Sequence, residues 1–480
     1  MAADGTNDRF DFAARLPQVG AITAVHLLAI GGSGMSGVAR LFLARGLTVS
    51  GTDGQDVAVL ATLRGAGATI NVGFSADHVA ELPDDALVIV SSAIAEDNPE
   101  LREIRRRGLT VLHRSQGLAM LMADRSGLAV AGANGKTTTS AMATVALRGC
   151  GADPSYAIGA DIAGLGANAM PGNGSVFVVE ADESDGSFVV YRPDVAIVTN
   201  VRDDHLDFYG TSERLHGAYA QFAETISTDG LLVACADDAG SRDLATRHHA
   251  GGGRVITYGR EPSDVRIVQE RSDGFRQDAT LHLDGIDLDL TLNVPGAHNV
   301  LNAAGVVAAL TRGLGLDAKQ VAASLADFRG TSRRFEPRGE AAGIRVVDDY
   351  AHNPGKLEAV VRTGLALRDQ GRLIVVFQPH LYSRTQHAAD GLAAALCLAD
   401  HAVVLDIYGA REQPVPGVTG RLVSDQVPGA TFAADHQDAL DAVTEIARSG
   451  DLVLTVGAGD VTALGPRILD QLERRVADLS

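Results

Sequence analysis

The stretch LAVAGANGKTTT at residues 128–139 constrains this chain more than any other. A short apolar run ends in a Gly-rich turn, then Lys136, then three threonines, and a helix-forming stretch opens at Ser140-Ala141-Met142. The pattern predicts strand, loop and helix. Such a loop, Gly132-Ala133-Asn134-Gly135, aims backbone N–H groups at one spot, and the helix start behind it adds partial positive charge. Lys136 adds a full charge, and a Thr hydroxyl after it is placed to ligate Mg2+. The occupant that suits this loop is the polyphosphate of a nucleotide. Only Ala133 and Asn134 separate the glycines, whereas the standard phosphate loop has four residues there. An ordinary strand-to-helix turn also fits the string.

Lysine usage sharpens the reading. The whole chain has only three lysines, Lys136, Lys319 and Lys356, so arginine supplies nearly all its positive charge. Arg is the fork-like partner, and Lys is the compact point charge on phosphate. A chain that avoids Lys yet keeps one in this loop needs it there.

The 480 residues are too many for one core and suggest about three domains. A net charge of −19 argues against nucleic acid or an anionic membrane as partner, so an anionic substrate must be met by local Arg, Lys and helix starts. Cys150, Cys235 and Cys397 lie far apart and form no CxxC or His/Cys zinc spacing, which predicts a reduced, cytoplasmic chain. The first 20 residues lack the basic and apolar regions of a signal peptide, and no run of 18 apolar residues predicts a membrane span.

Upstream of the loop, residues 24–30 (AVHLLAI) read as a buried strand. Gly31, Gly32, Gly34, Met35 and Gly37 follow, then a helix through Arg45 and a second strand at 48–51 ending near Asp53. This is the first βαβ of a Rossmann-like unit, although Ala29 stands where the fingerprint has Gly. Its ligand is a dinucleotide or a nucleotide-sugar, and a purely structural tight turn also fits. Strands at 86–92 and 110–112 end at Ser92 and at His113-Arg114, where open α/β sheets bind ligands. Downstream, the strand VFVVE runs into Glu180-Ala181-Asp182-Glu183-Ser184-Asp185, an acid cluster placed like the metal-holding acid of nucleotide hydrolases. VAIVTN at 195–200 leads to His205, which suits a second Mg2+ or is a loop residue without a role. Residues 265–294 change to short alternating strands, read as an antiparallel hairpin layer. Asn299 and Asn302 share one face of a helix at 300–312; they could read an adenine edge, or be a cap and a surface residue. Strands at 344–349, 372–377, 402–406 and 451–456, each with a polar C-terminal end, indicate a further α/β domain.

Taken together these stretches resemble the Mur ligase family. The match runs in order through IGGSGMSGVA, SSAI, GANGKTTT, EADESDGSF, TNVRDDHLD, PGAHNVLNAAG, FRGTSRRF, DDYAHNP, FQPHLYSRT, DIYGAREQPVPGV and GAGDV, covering nearly the whole chain. The Gly-rich first turn, FQPHLYSRT and GAGDV favour the family members that add L-alanine over those that add later residues. The resemblance implies three α/β domains. These are a Rossmann-like UDP-substrate domain (residues 1–124), a central P-loop-type ATPase domain with a mixed sheet (125–336), and a Rossmann-like amino-acid domain (337–480).

The activity implied is ATP-dependent ligation of L-alanine to the lactyl carboxylate of UDP-N-acetylmuramate, the first amino-acid addition in peptidoglycan precursor synthesis. ATP and Mg2+ phosphorylate the carboxylate, the amine of L-alanine attacks the acyl phosphate, and ADP and phosphate leave. A murein tripeptide-recycling ligase and a catalytically impaired nucleotide-binding homologue are the alternatives. A monomer or weak homodimer is expected.

Carried over residue by residue, Lys136 stabilises the transferring γ-phosphate within the loop of Gly132, Ala133, Asn134, Gly135, Thr137 and Thr138. Thr137 and Glu180 hold one Mg2+, and His205 with Glu180 a second. Asn299 and Asn302 bind adenine, Arg334 phosphate, and Asp349 and His352 the nucleotide from the third domain. His380 and Arg384 orient L-alanine and the acyl phosphate. Gly31, Gly32, Gly34, Met35, Asp53, Ser92 and Arg114 bind the UDP part. The chain departs from the pattern at Ala133, Asn134, Arg202, Asn353 and Leu381. Many relatives carry a carbamoylated Lys bridging the second metal, and no Lys lies between Lys136 and Lys319 to serve so.

Overall fold

A computed structural model describes residues 7, 9–368, 370–410 and 412–477. Residues 1–6 and 8, part of the segment read for a leader, and residue 411, inside the DIYGAREQPVPGV motif, lie outside them. Among the described residues the architecture is α/β with three sheets.

The first sheet has five strands in the spatial order Thr69–Val72, Thr48–Asp53, Ala24–Leu28, Leu87–Val90, Thr110–His113, all parallel. Crossover helices cover such a sheet on both faces, so its central strands are buried, Leu87–Val90 throughout and Ala24–Leu28 from Val25 onward. Strand order reverses at Ala24–Leu28, which puts the glycine turn at the switch point.

The second sheet has ten strands. Ser126–Ala131 lies between Val195–Val198 and Val176–Glu180 and is parallel to both. Leu231–Cys235, Arg254–Gly259 and Val265–Asp273 continue it in parallel on one side. The hairpin Arg276–Leu283 and Ile286–Leu292 ends that side in antiparallel pairing. Residues 265–294 therefore extend the central sheet and do not form a separate layer, because Val265 pairs with Tyr258 in the same ladder. On the other side lie Ser155–Ala157 and Ala169–Met170. The phosphate-loop helix runs Lys136–Gly149, starting four residues before the predicted Ser140. Threonine is a poor interior helix former, but in the first turn its N–H needs no intrahelical acceptor. The next predicted helix likewise starts early, at Ala297, which places Asn299 inside its first turn.

The first two sheets share a core: Phe42 and Leu118, on the helices Ser33–Ala44 and Arg114–Met122 that belong with the first, form one cluster with Phe177 of the second sheet and Phe188 just beyond it. Packing accordingly gives two compact units, one of residues 1–271 and 276–329, the other of 272–275 and 330–480. The second unit carries a six-stranded sheet in the order Glu336–Ala341, Ile344–Asp349, Leu452–Val456, Leu373–Phe377, His401–Leu405, Thr431–Ala433. Only its first pair is antiparallel.

Candidate active site

The phosphate loop is built without slack. Gly132 has φ +134 and Gly135 φ +88, backbone conformations that suit glycine. A Cβ on Gly132 would run into Thr199 Oγ1, and one on Gly135 would lie 2.9 Å from Asn302 Oδ1. Thr199 Oγ1 donates to the Asn134 carbonyl at 2.6 Å, and Asn200 Nδ2 donates to it at 2.9 Å. Asn134 N–H returns a bond to Asn200 Oδ1 at 3.0 Å. The loop is thus moulded on the end of the neighbouring strand. Helices beginning after Asp238, Asp317 and Asp435 have side-chain caps. The Lys136 helix has Gly135 at that position and no side-chain cap, so its first N–H groups face the loop's concavity.

Lys136 Nζ donates to Gly132 O at 2.9 Å and to both oxygens of Glu183 at 2.9 and 2.7 Å, with Asp182 Oδ1 at 3.8 Å. Burial disfavours the Lys136 charge, but Glu183, Asp182 and Glu180 outweigh it and hold the pKa above its ordinary value. Burial also opposes ionisation of Asp182, and Lys136 and His205 reverse this, leaving its pKa low. Glu180, at the end of its strand, accepts from Thr137 Oγ1 at 3.0 Å and from Gly159 N–H at 2.6 Å. His205 adopts φ +54 just before the Leu206–Tyr209 turn, and its Nε2 is 4.0 Å from Glu183 Oε1. Ligand atoms of Asp182, Glu183 and His205 lie within 4.8 Å of one another. Carboxylates and a Thr hydroxyl are the oxygen donors that a hard cation such as Mg2+ prefers. Thr137 adjoins Lys136 and bonds to Glu180, and His205 lies beside Glu183, while the acids that pair with Lys136 itself are Glu183 and Asp182. Asn299 and Asn302, both buried, bond to each other at 3.3 Å, and Asn299 Nδ2 donates to Pro295 O at 2.7 Å.

At the edge of the first sheet, Ala29 has φ +57, so the Gly-to-Ala departure is accommodated by a left-handed alanine. Asp53 Oδ2 accepts from Gly31 N–H at 2.8 Å, and a Cβ on Gly31 would meet that oxygen at 2.8 Å. Arg114 lies over Gly34, where a Cβ would meet its Nη1 at 2.5 Å. Gly32 caps the Ser33–Ala44 helix without a side chain, and Met35 is buried in its first turn. Ser92 donates to Asp185 at 2.7 Å, joining this edge to the acid loop.

Within the second unit, Asp349 ends its strand and accepts from the N–H groups of Phe335 and Ala351, both at 2.8 Å; burial raises its pKa. Arg334 lies over the Tyr350 ring at 5.2 Å. His352 Nδ1 is 3.0 Å from Tyr350 O, and burial, with Lys356 and Arg384 nearby, keeps its ring neutral. His380 stacks on Tyr408 at 5.8 Å, and its ring centre is 6.3 Å from that of His352. Leu381 caps the Tyr382–Leu396 helix at φ +67, and Arg384 is in that helix's first turn.

The sequence places His113 at a ligand-binding strand end and Asp182, Glu183 and Asp185 in an acid cluster, but gives none of them, nor Thr199 or Asn200, an individual role. The available signal was position: polar residues closing apolar strands beside the phosphate loop.

Three family models match in succession: "Mur ligase family, catalytic domain" at residues 24–126, "Mur ligase middle domain" at 130–310, and "Mur ligase, glutamate ligase domain" at 333–459. The chain is 49% identical to the UDP-N-acetylmuramate–L-alanine ligase of Saccharopolyspora erythraea, covering 94% of this chain and 93% of that protein. It is 50% identical to the ligase of that name from Kineococcus radiotolerans, over 94% and 96%. The crystal structure of the UDP-N-acetylmuramate–alanine ligase of Thermotoga maritima is similar with a TM-score of 0.78 and 31% identity, covering 94% and 99%. A murein peptide ligase from Psychrobacter arcticus shares the fold, with a TM-score of 0.70 at 24% identity. With three successive domain matches and near-full-length relatives at half identity, the chain belongs to the Mur ligase family.

Proposed function

We propose that this chain is an ATP-dependent amide-forming ligase that joins L-alanine to the lactyl carboxylate of UDP-N-acetylmuramate. The observation that carries the reading is the pairing of a phosphate-loop lysine with strand-end carboxylates, in a chain half identical to ligases of that name along its whole length.

Lys136 faces the developing negative charge on the γ-phosphoryl group as the substrate carboxylate attacks it. The N–H groups of the Gly132–Gly135 loop and the start of the Lys136 helix hold the remaining phosphate oxygens. Thr137, Glu180 and His205, with Asp182 and Glu183 beside them, would hold Mg2+, which when bound neutralises the anionic groups that must meet. Asn302, against Gly135, and Asn299, bonded to it, fix the adenine end. Gly31, Gly32, Gly34, Met35, Asp53, Ser92 and Arg114 receive the UDP part. In the second unit, Asp349, His352 and Arg334 serve the nucleotide. His380 and Arg384 orient L-alanine, whose neutral amine attacks the acyl phosphate. No described helix is long and apolar enough to cross a membrane.

The test is phosphate release from MgATP with UDP-N-acetylmuramate, with and without L-alanine. Release that requires both substrates, with acyl hydroxamate formed when hydroxylamine replaces L-alanine, is expected. Nucleotide binding without release under any of these conditions refutes the reading.

A further inference from the structure

We propose that Asp185, held by His113 and Ser92, is a positioning residue through which the first sheet fixes the acid loop opposite Lys136. The proposal deepens the ligase reading and rests on it for the identity of the substrates.

A single residue, Ser184, separates the two contacts. Glu183 pairs with Lys136, and Asp185 reaches the other way, to the C-terminal edge of the first sheet. Asp185 Oδ2 accepts from Ser92 Oγ at 2.7 Å and lies 3.3 Å from His113 Nε2. Its Oδ1 accepts from Ser187 N–H at 3.1 Å. His113 is fully buried, and its Nδ1 accepts from Ser115 N–H at 3.2 Å in a capping box that opens the Arg114–Met122 helix. With Nδ1 accepting, Nε2 carries the ring proton, and it lies 3.2 Å from Ser92 Oγ and 3.3 Å from Asp185 Oδ2. Phe10 and Phe12 pack on the imidazole with ring centres at 5.0 and 5.7 Å. Asn7 Nδ2 spans the junction, 3.4 Å from Ser92 Oγ and 3.3 Å from Asp185 O.

The acid loop is therefore anchored at both ends, by Lys136 and by the sheet edge proposed to receive the UDP-substrate. A carboxylate with ordered donors is a poor device for stability alone, since an apolar pair would pack there without paying desolvation. It is a good device for orientation, because its donors leave one geometry. A substrate seated against Ser92 thus stiffens the loop that carries Asp182 and Glu183.

The experiment compares wild type, Asp185→Asn, His113→Asn and the double variant. It measures KM for UDP-N-acetylmuramate, ATP and L-alanine, kcat, and amide exchange at residues 182–186 with and without UDP-N-acetylmuramate. Each single variant is expected to speed exchange at 182–186 and to lower kcat/KM for UDP-N-acetylmuramate by about tenfold, the scale of one charge-assisted hydrogen bond. KM for L-alanine should be unchanged, and the double variant no worse than the weaker single, as for one shared network. Additive losses, or a lowered melting temperature with unchanged exchange at 182–186, overturn the proposal. Failure of wild type to turn over refutes the ligase reading instead, and the exchange data still decide whether His113 and Asp185 hold the loop.

Discussion

Lys136 Nζ spends all three of its hydrogens inside the protein: one on Gly132 O and one on each oxygen of Glu183. A bound polyphosphate oxygen must take the place of a Glu183 contact. Glu183 therefore acts as an internal competitor for the lysine as well as its guide. Replacing Glu183 by Gln removes the negative charge and keeps the shape. A nonhydrolysable ATP analogue, titrated without Mg2+ so that the carboxylate's part in holding the cation does not enter, should then bind about three- to tenfold more tightly, the scale of a weakened charged hydrogen bond. Titration calorimetry reads this directly. Weaker binding by the variant would mean that Glu183 mainly holds Lys136 in its binding position.

Loss of the lysine itself has a different signature. Lys136→Ala should lower kcat by about a thousandfold, as when a preorganised charge at the reacting centre is deleted. Binding of UDP-N-acetylmuramate should remain near normal. Lys136→Arg should not restore activity, because a planar fork cannot reproduce the point contacts to Gly132 O and Glu183. An active alanine variant in the phosphate-release assay would remove Lys136 from its assigned role.

Much of this was legible in the chain because the chemistry sits where apolar runs stop. The apolar runs 128–131 and 176–179, within the strands Ser126–Ala131 and Val176–Glu180, and the strand Val195–Val198 are buried, so the loop, the acid cluster and His205 fell at the same edge. Which acid faces Lys136 was not legible, since a loop has no period to say that Glu183 turns inward and Ser184 does not. Thr199 and Asn200 serve the loop through a strand distant in sequence, a relation only the ladder reveals. Ser155–Ala157 and Ala169–Met170 are three- and two-residue strands, too short to carry alternation. The Asp53 bond to Gly31 N–H shows an acid placed for a ligand by the fingerprint and used here by the turn itself.

Glu180 holds Thr137 and the Gly159 N–H together, at 3.0 and 2.6 Å. A carboxamide at this position keeps an acceptor for one donor but loses the charge a hard cation needs. Glu180→Gln should raise the Mg2+ concentration for half-maximal activity by about tenfold to a hundredfold, the range for a damaged metal site. A Mg2+ titration of phosphate release at saturating ATP checks it. Unchanged Mg2+ dependence would take Glu180 out of the metal site.

Stability against acid should depend on Asp451, at the head of the strand Leu452–Val456 in the middle of the six-stranded sheet. Its carboxylate accepts from Arg372 Nη2 at 2.6 Å and from the N–H groups of Arg372 at 3.0 Å and Arg448 at 2.9 Å. Burial raises its pKa, and these donors bring it below the ordinary carboxylate value. The sign follows: the unfolded chain binds the proton more readily, so the contribution is fully present above the unfolded pKa of about 3.9 and is lost as pH falls through the lower folded value. Asp451→Asn should destabilise the protein by about 1–3 kcal/mol at pH 7, because it leaves Arg372 and two N–H groups poorly matched. Wild type and variant should converge as pH falls from about 3.9, where the unfolded chain takes up the proton, through the lower folded value. Denaturant unfolding of both proteins at pH 7 and across the acid range measures the gap. A difference that stays constant through that range would mean Asp451 acts by packing, with its charge contributing nothing.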